Sequence, residues 1–117
     1  MVNKVILIGR ATADPELRTT GAGTAVANVR LVTNSYSGKE TDGTRKEHSE
    51  FHTLVLFGRL AEIAADYIRK GRLVYADGRL QTRSWEGQDG QKRHSTEVVV
   101  DNLQLLSPKP SEEAAAA

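Results

Sequence analysis

One stretch of this chain follows a helical period. Between Arg59 and Lys70, Leu60, Ile63, Ala64, Tyr67 and Ile68 recur at i, i+3, i+4, i+7 and i+8, the apolar stripe of an amphipathic helix. Arg69 and Lys70 fall in its expected last turn, where cations complement the helix dipole. Gly71 follows as the expected left-handed closing residue. The remaining segments read as strands. Val2 to Ile8 is a short apolar run that stops at Gly9, the mark of a buried strand. Ala25 to Thr33 alternates, with Ala27, Val29 and Leu31 on one face and Asn28 and Arg30 on the other. Phe51 to Phe57 forms a third strand, Leu73 to Trp85 a long fourth, and Ser95 to Val100 begins a fifth. Ala11 to Thr24 reads as a loop, Ser35 to His48 as a polar connection, and Gly87 to Gly90 as a turn.

The order is strand, strand, strand, helix, strand, strand. A single helix between the third and fourth of five antiparallel strands predicts an all-β fold of the OB type, a small Greek-key barrel that accommodates oligonucleotides or oligosaccharides. With 117 residues the chain has room for one such domain. We expect the domain over residues 1–106 and a short unpacked tail over 107–117, where Pro, Glu and Ala dominate.

Bulk charge names no partner, since 16 Lys and Arg face 15 Asp and Glu. The local balance differs. From Arg69 to Arg93 seven basic residues face three acidic ones, a net of plus four, which suits either a polyanion or a solvated face. The chain has no cysteine, which removes disulfides, thiolate nucleophiles and Cys-rich zinc sites. No apolar run approaches the roughly 20 residues of a membrane helix. A soluble protein of a reducing, cytoplasmic compartment is expected.

The single tryptophan stands in T-R-S-W-E-G, a polar and basic setting. Alternation along Leu73 to Trp85 sorts Val74, Ala76, Gly78, Leu80 and Thr82 to the barrel interior. Tyr75, Asp77, Arg79, Gln81, Arg83 and Trp85 take the outer face. Single-stranded nucleic acid offers flat bases and a phosphate chain. Rings stack on bases, contributing about 1–3 kcal/mol each, and Arg or Lys neutralises phosphate. Trp85 with Arg83 supplies both. Alternatively, the indole folds onto its own hairpin. Phe51 and Phe57, six residues apart, share one face of a strand, with His52, Leu54 and Leu56 on the other. The pattern allows both phenyl rings inside or both outside. Tyr36 lies in the polar connection, where a ring has little to pack against.

Six blocks in order carry a resemblance: V-N-K-V-I-L-I-G at 2–9, D-P-E-L-R at 14–18, A-V-A-N at 25–28, V-L-F-G-R-L-A-E at 55–62, Y-I-R-K-G at 67–71 and T-E-V-V-V at 96–100. Together they resemble bacterial single-stranded DNA-binding protein over about residues 2–106. The resemblance implies an OB-fold protomer of a homotetramer that wraps single-stranded DNA without sequence preference. It holds unpaired strands open during replication, recombination and repair, associated with the nucleoid. The implied stacking residues are Trp85, Phe57, Phe51 (where the family usually has tryptophan), Tyr36 after a one-residue shift, and Tyr67. The implied phosphate contacts are Lys4, Arg10, Lys46, Arg59, Lys70 and Arg83, and Arg79 joins them from its outward register. Arg10 stands where the family often has asparagine. His52 matches a subunit-contact histidine, and Tyr75 falls in a subunit-contact region. Family members typically continue through a Gly/Pro/Gln-rich linker to an acidic tip ending in phenylalanine that recruits other proteins. The chain ends at Ala117 without it, so recruitment by such a tip is not expected.

Catalytic and metal chemistry find little footing. His48 and His52 are four apart, which on a strand is about 13 Å, too far for one ion. No dinucleotide or phosphate-loop fingerprint is complete. Neither cofactor nor metal is expected, and no enzyme. Two alternatives stand beside single-stranded DNA binding: another OB module, such as an RNA-binding or replication-restart accessory protein, and a barrel that binds only protein.

Overall fold

The computed structural model describes residues 1–39, 43 and 45–107, without the side chains of residues 37, 39, 45 and 46. Its elements are β1 (Val5–Ala11), β2 (Glu16–Thr19), β3 (Ala25–Lys39), β4 (Arg45–Phe57), α1 (Arg59–Tyr67), β5 (Leu73–Glu86) and β6 (Lys92–Leu105). The strands run in the order β1-β5-β6-β4-β3-β2, and β1 also pairs with β3 at Arg10 and Ala11. That last pairing closes five staves into the expected barrel. One contact departs from the antiparallel expectation: β4 and β6 run parallel, with Leu54 beside Val98 and Val55 beside Val99.

The interior is built from the alternating apolar residues. Ala27, Val29, Leu31, Leu54, Leu56, Val74, Ala76, Val98 and Val100 are buried in one cluster. Their branched and small side chains fill a narrow barrel without polar atoms to satisfy. Helix α1 packs on β3 and β4 and contributes Ala61 and Ala64 to the same core, joined by Ile68 just past its end. Leu60, Ala64 and Ile68 face the core as expected, with two differences. Ala61 lies inside, and Tyr67 lies outside.

The helix also ends earlier than the pattern indicates. Ile68 donates the last helical bond, to the Ala64 carbonyl, and is itself extended. Arg69 and Lys70 are therefore outside the helix. Cations still serve its end: Arg69 Nη1 donates to the Ala65 and Ile68 carbonyls, and Arg72 Nη1 to that of Tyr67. Gly71, at φ 90°, closes a separate turn in which the Arg72 amide bonds the Arg69 carbonyl. That position of a type II turn requires positive φ.

Three further differences concern polar strands. The expected loop after β1 contains β2, four exposed residues paired only to β3. Its side chains bury nothing, so no hydrophobic period marks it. The expected polar connection is instead the continuation of β3 and β4, paired through Asn34–Ser49, Ser35–His48 and Tyr36–Glu47. Backbone bonds carry this ladder beyond the barrel, where neither face needs to be apolar. Leu80, expected inside, is 48% exposed. Its register is that of the interior, but β5 has already left the barrel at that point. The chain from Pro108 on, most of the expected tail, lies outside the described residues. Ser107 itself is tied to the barrel, its hydroxyl oxygen accepting from the Leu73 amide and its carbonyl from Arg72.

Candidate nucleic-acid interface

Paired residues of neighbouring strands project from the same side of a sheet, so the register defines the outer face. Across β1, β3 and β4 it carries Arg10, Val32 and Phe51. Alongside lie Arg30 with Thr53, then Asn28 with Val55, then Val26 with Phe57. The parallel pairing continues the face through Val99 onto β6. From there β5 and β6 add Arg79, Gln81 with Glu97, Arg83 with Ser95, and Trp85 with Arg93. This is one continuous surface from the barrel wall to the tip of the β5–β6 hairpin.

Three of the five expected stacking rings stand on it, each partly exposed: Phe51 at 54% exposure, Phe57 at 47% and Trp85 at 42%. Two are already paired with a cation. The Arg83 guanidinium lies 4.9 Å from the centre of the Trp85 ring, and that of Arg30 lies 5.5 Å from Phe51. Such contacts hold a flat cation against a ring while leaving the guanidinium edge open to phosphate. Between the rings part of the surface is apolar. Val26, Val55 and Val99 are buried yet belong to this face, outside the barrel core. They line a hollow of about 210 Å³ walled by Phe57, Arg83 and Glu97.

The other expected residues divide. Arg79 is on the face and pairs with Asp101 at 3.7 Å. Asp101 is the extra residue of a bulge that sets Asp77 against Asn102 and Gly78 against Val100. Arg10 is on the face and donates to the Gly71 carbonyl. Arg59 opens α1 and pairs with Glu62 at 3.3 Å. Tyr67 and Lys70 lie exposed at the other end of α1 and in the turn after it. Tyr36 is exposed on the β3–β4 arm. The side chain of Lys46 lies outside the described residues. Lys4 is engaged within the protein, its ammonium 2.9 Å from Asp77, which also accepts from Tyr75 Oη at 2.7 Å and from Asn102 at 2.9 Å. The Tyr75, Asn102 and Lys4 hydrogen bonds together hold the Asp77 carboxyl at a pKa of about 2. Asp77 in turn raises the pKa values of Lys4 and Tyr75.

Tyr75 and Asp77 share the outer face of β1 and β5 with the exposed Ile8 and Ile6. His52, in the interior register of β4, is half-buried and shares a hydrogen bond of 2.9 Å with the Thr33 hydroxyl.

The geometry adds Arg30, Arg18 and Glu97 to the residues singled out from sequence. Arg30 was legible, since it alternates against the Val29 and Leu31 core face. Arg18 depended on recognising β2. Glu97 is a charged residue buried beside valines, and no local pattern distinguishes such a residue from an ordinary surface acid.

Among the described residues no helix is long and apolar enough to cross a membrane. Comparison with solved structures finds a Plasmodium falciparum SSB in complex with ssDNA, 29% identical over 92% of this chain and 97% of that one, with a TM-score of 0.82. Residues 2–106 match the single-strand binding protein family, and the chain belongs to that family.

Proposed function

We infer that the protein binds single-stranded DNA without strong sequence preference, stacking bases on Trp85, Phe57 and Phe51 while arginines neutralise the phosphates between them. The observation that carries this reading is the single outer face on which rings, guanidinium groups and buried valines alternate from Arg10 to Trp85. A duplex keeps its base faces stacked internally, so this surface selects unpaired strands. No covalent step is required. Binding the single strand and not the duplex holds unpaired DNA open by mass action, as replication, recombination and repair in the cytoplasm require. Arg83, Arg79, Arg30 and Arg10 serve the phosphates on the sheet. Arg59, Lys70 and Tyr67 extend the path over α1, and Tyr36 and Lys46 over the β3–β4 arm. Lys4, held by Asp77, contributes through the field rather than by a direct contact.

The protomer assembles into a homotetramer. Support comes from β1, which pairs along β5 but meets β3 only at its end, leaving backbone edge groups open beside exposed Ile6 and Ile8. Such an edge is an aggregation risk unless another chain covers it. Tyr75 borders that strip, and His52 lies at a half-buried position suited to a second contact.

Titration of Trp85 fluorescence tests the binding. Oligo-dT should quench it and a duplex of equal length should not, with affinity falling as salt rises by a log-log slope of about 0.7 per phosphate neutralised. Equal response to duplex and single strand overturns the reading, and tighter binding of oligo-U than oligo-dT favours an RNA module. Light scattering reports the assembly.

A further inference from the structure

The hollow below Phe57 contains more than a platform for stacking. Its floor is Val26, Val55 and Val99, all buried. Its lining also holds Arg18, Thr20 and Arg83, and with them an uncharged donor and an acceptor, Gln81 and Glu97, which are direct cross-strand partners on the same face. Glu97 is 9% exposed, so its carboxylate is set into the wall rather than waving in solvent. Arg83 Nε donates to one carboxylate oxygen, Oε1, at 3.3 Å. A carboxylate has two oxygens and about four acceptor sites, so acceptor capacity remains. The guanidinium beside it offsets its charge, which lets an acid lie in the path of a polyanion.

Building on the single-stranded DNA reading above, we propose that this hollow is a base-reading subsite in which Glu97 and Gln81 recognise the Watson–Crick edge of an amino-bearing base, cytosine or guanine, and disfavour thymine. The chemistry follows from the donors. Unpaired strands present this edge freely. Cytosine offers an N4 amino donor beside ring and carbonyl acceptors, and a carboxylate is a suitable acceptor for that amino group. The Gln81 amide supplies the donor that the neighbouring acceptors need. Guanine offers two adjacent donors to the carboxylate and a carbonyl to the amide. Thymine sets a carbonyl oxygen against the carboxylate wherever cytosine sets an amino group. The base lies on the valine floor with Phe57 at its side, so the hydrogen bonds form where water is partly excluded. One position within the occluded strand acquires a preference while the stacking rings elsewhere on the face bind any base.

The test compares oligo-dC with oligo-dT on the wild type and on Glu97→Gln, reading Trp85 quenching at fixed salt. Comparing the two proteins cancels intrinsic differences in stacking and flexibility between the homopolymers. The dC-to-dT affinity ratio should fall by about fivefold in Glu97→Gln, the low end of what one good base contact contributes. An oligomer of N4,N4-dimethylcytidine, which lacks the amino donors, should lose the same factor on the wild type and nothing further on the variant. This arm leaves the protein untouched, so it stands even if Glu97→Gln is less stable. Equal loss for dC and dT in Glu97→Gln, or wild-type indifference to N4 dimethylation, overturns the subsite and leaves Glu97 as a residue that orients Arg83. Failure of wild type to bind either homopolymer defeats the single-stranded DNA reading itself, a result distinct from both.

Discussion

Strand β5 is two structures in one ladder. From Leu73 to Gly78 it is a stave of the barrel, with Val74, Ala76, Asp77 and Gly78 buried, and from Arg79 to Glu86 every residue is exposed. The pairing with β6 runs through both halves, interrupted by the bulge between Asp77 and Gly78. The first half owes its place to apolar burial, worth roughly 25 cal/mol per Å² removed from water. The second half has little such burial. It rests on backbone bonds and cross-strand pairs, Thr82–Thr96, Ser84–His94 and Arg83–Glu97, each a modest contribution. Stability and ligand chemistry are thereby divided along one strand. The arm's side chains are released from packing and can be chosen for what they meet outside.

The largest expected effect lies at the boundary. A Cβ on Gly78 would overlap the Val99 carbonyl group, backbone that cannot step aside without opening the β5–β6 ladder. Gly78→Val should cost about 3 kcal/mol of unfolding free energy, the upper range for overpacking a filled site, read as a lower urea midpoint. Trp85→Ala, seven residues on, should do the reverse. Its unfolding free energy should change by about 0.5 kcal/mol or less, as for a surface substitution, while single-stranded DNA affinity falls by about 1–3 kcal/mol. A Trp85→Ala protein that unfolds like Gly78→Val breaks the comparison, because the arm would then be part of the core.

The same division explains what could be read from the sequence. Staves were legible, because one buried face forces a period of two, and the helix was legible because its period differs. Alternation continued past Gly78 and placed Arg79, Arg83 and Trp85 outward correctly. It could not report that the barrel had ended, so Leu80 kept an interior register with no interior to enter. The β3–β4 arm was missed for the same reason: Ser35, Tyr36, His48 and Ser49 pair through backbone groups common to every residue. The expected helix stripe holds at Leu60, Ala64 and Ile68 and fails at Tyr67, which is apolar enough to complete a pattern that Ala61 completes in fact. Glu97 and Arg18 become site residues only once register lays β2 and β6 beside β3 and β4, information that local composition does not hold.

Two ion pairs of equal length sharpen the contrast further. Lys4 meets Asp77 at 2.9 Å in the stave half, and Arg93 meets Asp89 at 2.9 Å near the arm's turn. Their surroundings differ. The Asp77 side chain is 8% exposed and accepts from three side chains, whereas Asp89 is 46% exposed. Asp77 has its pKa lowered from 3.8 to about 2, so its network stabilises the fold fully above pH 3.8 and that stabilisation is lost as pH falls through about 2. Asp77→Asn should therefore flatten the acid limb of the stability curve between those values and lower stability at neutral pH. An unchanged acid limb would mean that the carboxylate gains nothing from its three donors. The smallest effect is expected at the arm. An exposed pair loses most of its attraction to solvent and side-chain entropy, so Asp89→Asn should change the unfolding free energy, read by urea titration, by about 0.5 kcal/mol or less. A loss at Asp89 as large as that at Asp77 would show that distance alone sets the worth of an ion pair here. It would also remove the claim that the arm stands apart from the barrel.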